Sequence, residues 1–359
     1  MKIAARIYST LPFCSFLFVF TSIAASQTYT ITDLGVLSGY ASSLAYSVNS
    51  SGQATGCSDN SSSQSTLCIG ESASSGYYWS TDTDMVNLGS LAGYDAIVGV
   101  TINDSGEIAG LAQNSQTGIS RGFAWTQRDG FTELSPLPGG SYSSADANNN
   151  YATIVGYSSV SNGDVHGVLW VSNGSSYQIK DLGILPGAPY TYAYDVNQKM
   201  QVVGEAYNSA GTRFTAVLWS KAAGWRNLGT LPGGQNSIAD WINDPGVAVG
   251  GAYTTQYPNG VAVYWDTSYK IHSLGTLPGG AQSYAGGENN VGEIVGESTV
   301  PGGVLHACIW KNGIVKDLNN HIPPNSGWVL NHASAINQTG QISGFGTINV
   351  ETHGFILTP

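Results

Sequence analysis

YAYDVNQKMQVVGEAYNSAGTRFTAVLWSKAAGWRNL, residues 192–228, decides the fold. YAYDVN is a short strand, NQKMQ turns the chain, and VVGEAY is a second strand. The loop NSAGTR leads to a third, FTAVLW, and SKAAG turns into a fourth, WRNLG. The runs are β-branched and aromatic, and Gly and Asn stand between them, which is strand and hairpin chemistry. Four antiparallel strands make a sheet too small to bury its own faces, so such units must stack.

The unit recurs along the chain. A Leu-Gly signature places leucines at Leu34, Leu88, Leu134, Leu182, Leu228, Leu274 and Leu318. An asparagine before a turn recurs at Asn49, Asn103, Asn149, Asn197, Asn243, Asn289 and Asn337. A tryptophan closes the third strand at Trp79, Trp125, Trp170, Trp219, Trp265 and Trp310, with Leu357 in the seventh place. A spacing of about 46 residues is that of propeller arrays. The expected fold is therefore all-β: a seven-bladed β-propeller with four antiparallel strands per blade. The chain stops at GFILTP, a third strand, and YTITDLG near its start is a fourth strand without its first three. Pairing the two would complete the last blade, close the ring and remove a free sheet edge. Four residues before each anchor asparagine the residue is small: Ala45, Gly99, Ala145, Ala193, Ala239, Ala285 and Ala333. Crowding of first strands near the ring axis accounts for this. The asparagines read as turn formers whose side chains bond nearby backbone.

Charged residues are 10% of the 359, and Gly (47) and Tyr (20) are abundant. Few charges with many turn formers exclude long surface helices. Residues 1–26 read as an export signal: Lys2 and Arg6, an apolar run from Leu11 to Ile23, then Ala24-Ala25-Ser26. The run is short of the roughly 20 residues that span a bilayer. A single propeller domain is expected over 27–359, secreted or periplasmic and monomeric, with no membrane attachment after cleavage. With Lys2 and Arg6 set aside, 10 basic side chains face 23 acidic ones. Such a surface repels phosphate and disfavours nucleic acid as a partner. Cys57 and Cys68 flank CSDNSSSQSTLC, and in an oxidising compartment they would close a disulfide. Cys308, in ACIW, reads as a buried free thiol.

Taken together, DLGILPG (181–187), INDSGEIAG (102–110), VNQKMQVVG (196–204), HGVLW (166–170) and HACIW (306–310) resemble the HAF family of extracellular repeats. The resemblance covers essentially the whole chain after residue 26. It implies a secreted bacterial propeller and carries no catalytic residue with it. The repeat's histidine stands at His166, His306 and His353, while Arg121, Thr215 and Val261 replace it elsewhere.

The usual catalytic and metal signatures (CxxC, HExxH, GxSxG, GxxxxGK, GxGxxG, calcium loops) are absent from the sequence. No cofactor and no metal site is expected. Tyrosines follow the glycine turn that leads into the first strand: Tyr40, Tyr94, Tyr142 and Tyr190, with Tyr284 a little later. Their rings could stack on sugars or pack neighbouring loops. Asp146, Asp195, Asp240 and Glu288 stand on first strands where other repeats carry Tyr46, Val100, Tyr194 or Ile336. Unless water, a partner or a ligand compensates, such a charge costs burial energy. The repeat is most broken at NNHIPPNSGWVLNH (319–332), which carries His321, Trp328 and His332, beside the Cys57–Cys68 insertion. Three functions stay open. One is a binding module for an extracellular carbohydrate or surface polymer, through Tyr40, Tyr94, Tyr142, Tyr190, Tyr284, Trp328 and His321. The second is a hydrolase or lyase using Asp146, Asp195 or Asp240 with His332. The third is a scaffold for a protein partner.

Overall fold

The computed structural model describes residues 28–60, 68, 74–174 and 176–359. The expected export signal lies outside the described residues. The chain is all-β, with one short 3-10 turn at Leu318–His321, and its small sheets stand in a propeller arrangement. No helix of the described residues is long and apolar enough to cross a membrane.

Each repeat folds as an antiparallel meander in which neighbours in sequence are neighbours in the sheet. The unit quoted above becomes strands Tyr190–Val196, Val202–Tyr207, Phe214–Ser220 and Gly224–Asn227. The expectation of seven separate sheets is corrected at one place. Five sheets have four strands; the sixth has eight. Two meanders join there because the first strand begins at Tyr190, two residues earlier than read, and reaches Val165 of the preceding meander in a single parallel bridge. In the last sheet the outer strand is Thr30–Asp33. It pairs antiparallel with Glu351–Thr358, from Thr30 opposite Thr358 to Asp33 opposite Phe355. First strands touch one another in chain order, and Ser42–Val48 also touches Trp328–Ile336. Apolar cores lie between neighbouring sheets, as where Ala45 and Tyr77 meet Ile356 of the chain's last strand.

The anchor asparagines do more than form turns. Asn197 Oδ1 accepts the amides of Lys199 and Gln201 at 3.0 and 2.9 Å, which fixes the turn. Its Nδ2 donates to the Asn243 carbonyl of the next repeat at 2.9 Å. All seven repeat this second bond. Asn49 donates to Asn103, Asn103 to Asn149, Asn149 to Asn197, Asn243 to Asn289, Asn289 to Asn337, and Asn337 back to Asn49 at 2.8 Å.

A β-bulge recurs in each first strand three residues before the asparagine, at Tyr46, Val100, Asp146, Tyr194, Asp240, Gly286 and Ser334. Bulges re-aim a side chain and bend the strand. The small residue beside each bulge is explained by sheet-to-sheet approach rather than by axial crowding. Ala45 and Ala145 meet the third-strand Gly354 and Gly122 of the preceding sheet, where an added β-carbon would lie 3.2 Å from the alanine's own.

The repeat's histidines are staples within a sheet. His166, His306 and His353 each bond through Nδ1 to a fourth-strand aspartate: Asp181 at 2.9 Å, Asp317 at 2.7 Å and Asp33 at 2.8 Å. Where the histidine is replaced, the partner changes with it: Arg121 pairs with Glu133 and Thr215 with Asn227. Cys57 and Cys68 form a disulfide, with Cα atoms 6.3 Å apart, and Cys308 is a buried free thiol.

Candidate functional site

The channel between the first strands has two ends. At the asparagine end, the residues that follow the anchors make a polar collar. The Asp104 amide donates to Asn150, that of Asn150 to Gln198, of Gln198 to Asp244, and of Asp244 to Asn290. These side chains are occupied with backbone. The opposite end, where the first strands begin, gathers tyrosines and carboxyl groups, and it is the candidate site.

The bulge residues Tyr46, Val100, Asp240, Gly286 and Ser334 line one cavity, and Asp146 and Tyr194 hold the same bulge position in the other two repeats. Second strands add side chains just after a glycine that faces the bulged strand: Tyr157, Glu205 and Glu297. Glu205 Oε1 accepts the Tyr194 hydroxyl at 2.6 Å. Asp240 accepts the Tyr284 hydroxyl across from the next repeat. That reach exists because Gly251 stands in the second-strand position; a β-carbon there would lie 2.7 Å from the Tyr284 ring.

Above these groups runs a line of rings. Tyr157 meets Tyr192 edge-on at 4.9 Å, Tyr192 meets Tyr207 at 5.8 Å, Tyr207 meets Phe214 at 5.3 Å and Phe214 meets Tyr253 at 5.6 Å. All are half-buried.

Burial dominates the electrostatics, because taking a carboxylate out of water favours its neutral form. It pushes the Asp146 carboxyl up to about 8, against one hydrogen bond from Ser144. Asp146 Oδ2 is buried with no hydrogen-bond partner. Burial pushes Asp240 up to about 7, opposed by the Tyr284 hydrogen bond and helped by the charge of Glu205. Glu205 is raised by burial too, against hydrogen bonds from Tyr194 and Tyr207. At neutral pH the cluster is thus a mixture of acceptors and protonated donors beneath aromatic faces.

A cavity of about 450 Å³ opens beside the ring line, lined by Tyr46, Trp241, Tyr284 and Phe345, with Asp240, Glu297, His332 and Ser334. His332 Nδ1 bonds Glu297 Oε2 at 2.8 Å, and its ring stacks on Phe345 at 5.0 Å. The described residues include no cluster of three or more His, Cys, Asp or Glu arranged to hold a metal ion.

The sequence candidates divide. Asp146, Asp240, Tyr284 and His332 come to this end of the channel. Tyr190 lies near it, paired with Tyr207 across the sheet, and Tyr142 precedes the first strand that carries Asp146, its backbone bonded to Ser158 and Ser159. Asp195 instead accepts two backbone amides, Val196 and Ile242, each at 2.8 Å, and ties neighbouring first strands together. Glu288 does the same with the amide and side chain of Asn243. Tyr40 bonds Ser75 at 2.7 Å and, like Tyr94, packs on a core between sheets. Trp328 is 9% exposed and packs edge-on against Phe355 at 5.8 Å, so its ring faces the core. His321 sits in the 3-10 turn and its carbonyl accepts the Tyr29 amide at 2.7 Å. Glu205, Glu297, Tyr157, Tyr192, Tyr207 and Tyr253 were not singled out from the sequence. Comparing the residue after each second-strand glycine (Cys57, Leu111, Tyr157, Glu205, Gly251, Glu297, Phe345) was the signal that could have found the first three.

No protein-family model matches this chain, and no curated protein matches it in sequence. Among solved structures, AofleA from Arthrobotrys oligospora is similar to it, with 13% identity, a TM-score of 0.42, and 80% of this chain and 87% of that one covered. Virginiamycin B lyase from Staphylococcus aureus is similar at 11% identity and a TM-score of 0.43, over 92% of this chain and 99% of its own. Trypanosoma rangeli sialidase, in complex with the inhibitor DANA, matches at 10% identity and 0.41, over 89% and 55%. At such identities the likeness concerns the fold alone.

Proposed function

We propose that this protein is an exported carbohydrate-binding module built on one seven-bladed ring over residues 27–359. In this reading the eight-stranded sheet counts as two blades. The circle of asparagine bonds from Asn49 through Asn337 and back supports seven units and closure. The Cys57–Cys68 disulfide supports an oxidising compartment. The observation that carries the function is the line of rings Tyr157, Tyr192, Tyr207, Phe214 and Tyr253 above Asp146, Glu205 and Asp240. Sugars combine an apolar C–H face with a rim of hydroxyls. Aromatic faces stack on the first, and hydroxyl and carboxyl groups bond the second.

A panel of glycans and polysaccharides tests this. The expected result is saturable binding to a chemically related set. A folded protein that binds none of them overturns the reading.

The second reading, a hydrolase, has one specific support. Asp146 and Asp240 are held where a proton is available at neutral pH, as a general acid requires. It predicts shortened products from a bound glycan, lost in Asp240→Asn; an intact glycan after long incubation removes it.

A further inference from the structure

The cavity beside the ring line is walled largely by carbon: Leu44, Val100 and Leu305, with the rings of Tyr46, Trp241 and Phe345. Two carboxyl groups, Asp240 and Glu297, enter it, and no lysine or arginine lines it. Among the described residues, the lysine and arginine ion pairs go elsewhere, to Glu133, Asp129 and Glu293. His332 also lines it, bonded through Nδ1 to Glu297. Ser334, on the bulge of the last first strand, lines the same cavity, is 6% exposed, and its hydroxyl has no hydrogen-bond partner. A buried hydroxyl left unpaired is costly and uncommon in a folded protein.

We propose, resting on the glycan-binding reading, that this cavity receives a protonated amino group carried by the sugar. The ligand is then a glycan with free amines. An ammonium N–H donates to Asp240 and to the Ser334 oxygen, and it supplies the counter-charge that Asp240, bonded to the Tyr284 hydroxyl, lacks in this cavity. The rings of Tyr46, Trp241 and Phe345 favour a cation over their faces. A neutral sugar hydroxyl would pair with Ser334 and leave Asp240 without a counter-charge. A bare hard metal ion would need about six oxygen ligands, which a wall of this composition does not offer. The chain's excess of 23 acidic over 12 basic side chains draws a cationic polymer toward the surface.

Calorimetric titration of the purified protein with glucosamine oligomers, and with N-acetylglucosamine and glucose oligomers of equal length, tests this. The expected result is binding of the glucosamine series at least tenfold tighter than the other two. In Asp240→Asn that ratio is expected to fall to threefold or less, and Glu297→Gln gives an independent check should Asp240→Asn not fold. Equal or tighter binding of the N-acetylated or glucose series overturns the amine assignment and leaves glycan binding standing. Absence of binding to every glycan overturns both.

Discussion

Gly204 faces the bulge so closely that an added β-carbon would lie 1.9 Å from the Tyr192 carbonyl oxygen. Its counterparts Gly56, Gly110, Gly156, Gly250, Gly296 and Gly344 meet the same carbonyl within 2.2 Å. Gly204→Ala should therefore cost about 2–4 kcal/mol, read as a lower urea midpoint, because backbone on both sides must move. The channel carboxyl groups make a pH-dependent prediction. Asp146 is raised to about 8 and Asp240 to about 7, so the native state holds protons that the unfolded chain releases above about 4. Their contribution to stability is intact below pH 4 and is lost progressively as pH rises to 8. Urea midpoints should fall between pH 5 and 8, and Asp146→Asn should recover about 2 kcal/mol at pH 8. A flat profile would contradict the burial assigned to Asp146. Asp146 and Asp195 look alike in the sequence, both acids on a first strand. The bulge separates them: Asp146 is the bulged residue, with one carboxyl oxygen buried and without a hydrogen-bond partner, and Asp195 follows the bulge and is held by backbone amides. A bulge is a matter of register, which composition and periodicity do not record.

At the scale of the element, the turn after each first strand joins neighbours as well as reversing the chain. Asn197→Ala removes the oxygen that accepts two backbone amides of its turn and the donor to Asn243. It should cost about 2–4 kcal/mol, since buried backbone groups are left unpaired. Asn197→Asp should restore the turn but not the bond to Asn243, and should recover part of that loss. The Cys57–Cys68 bridge closes a short loop between a second and a third strand. Its removal by a double serine variant should cost about 2–3 kcal/mol in non-reducing buffer and nothing in excess reductant. Element types and their order could be read directly, because alternating β-branched runs and Gly or Asn turns recur in phase. The bond from each asparagine to the next repeat could not, because nothing local in a turn names its partner 46 residues away. Nor could the match between His306 and Asp317 be read from either strand alone, though Arg121 with Glu133 and Thr215 with Asn227 show the pair changing together.

For the whole molecule, the first and last segments share a sheet. Deleting residues 27–35 removes Thr30–Asp33, the partner of Glu351–Thr358 and of His353. The truncated chain should unfold at much lower urea and expose an aggregation-prone edge; an unchanged midpoint would contradict ring closure. The molecule also sorts the tyrosines. Tyr40 and Tyr94, which follow glycine turns, serve packing between sheets, whereas Tyr192, within a first strand and not singled out from the sequence, sits in the line of rings over the carboxyl groups. The placement of the site is best tested by measuring the affinity of the best-binding glycan for Tyr192→Ala beside Tyr94→Ala. It predicts a loss of tenfold or more in Tyr192→Ala and a change of less than twofold in Tyr94→Ala. Unchanged affinity in Tyr192→Ala would contradict it and move the site off this mouth of the channel.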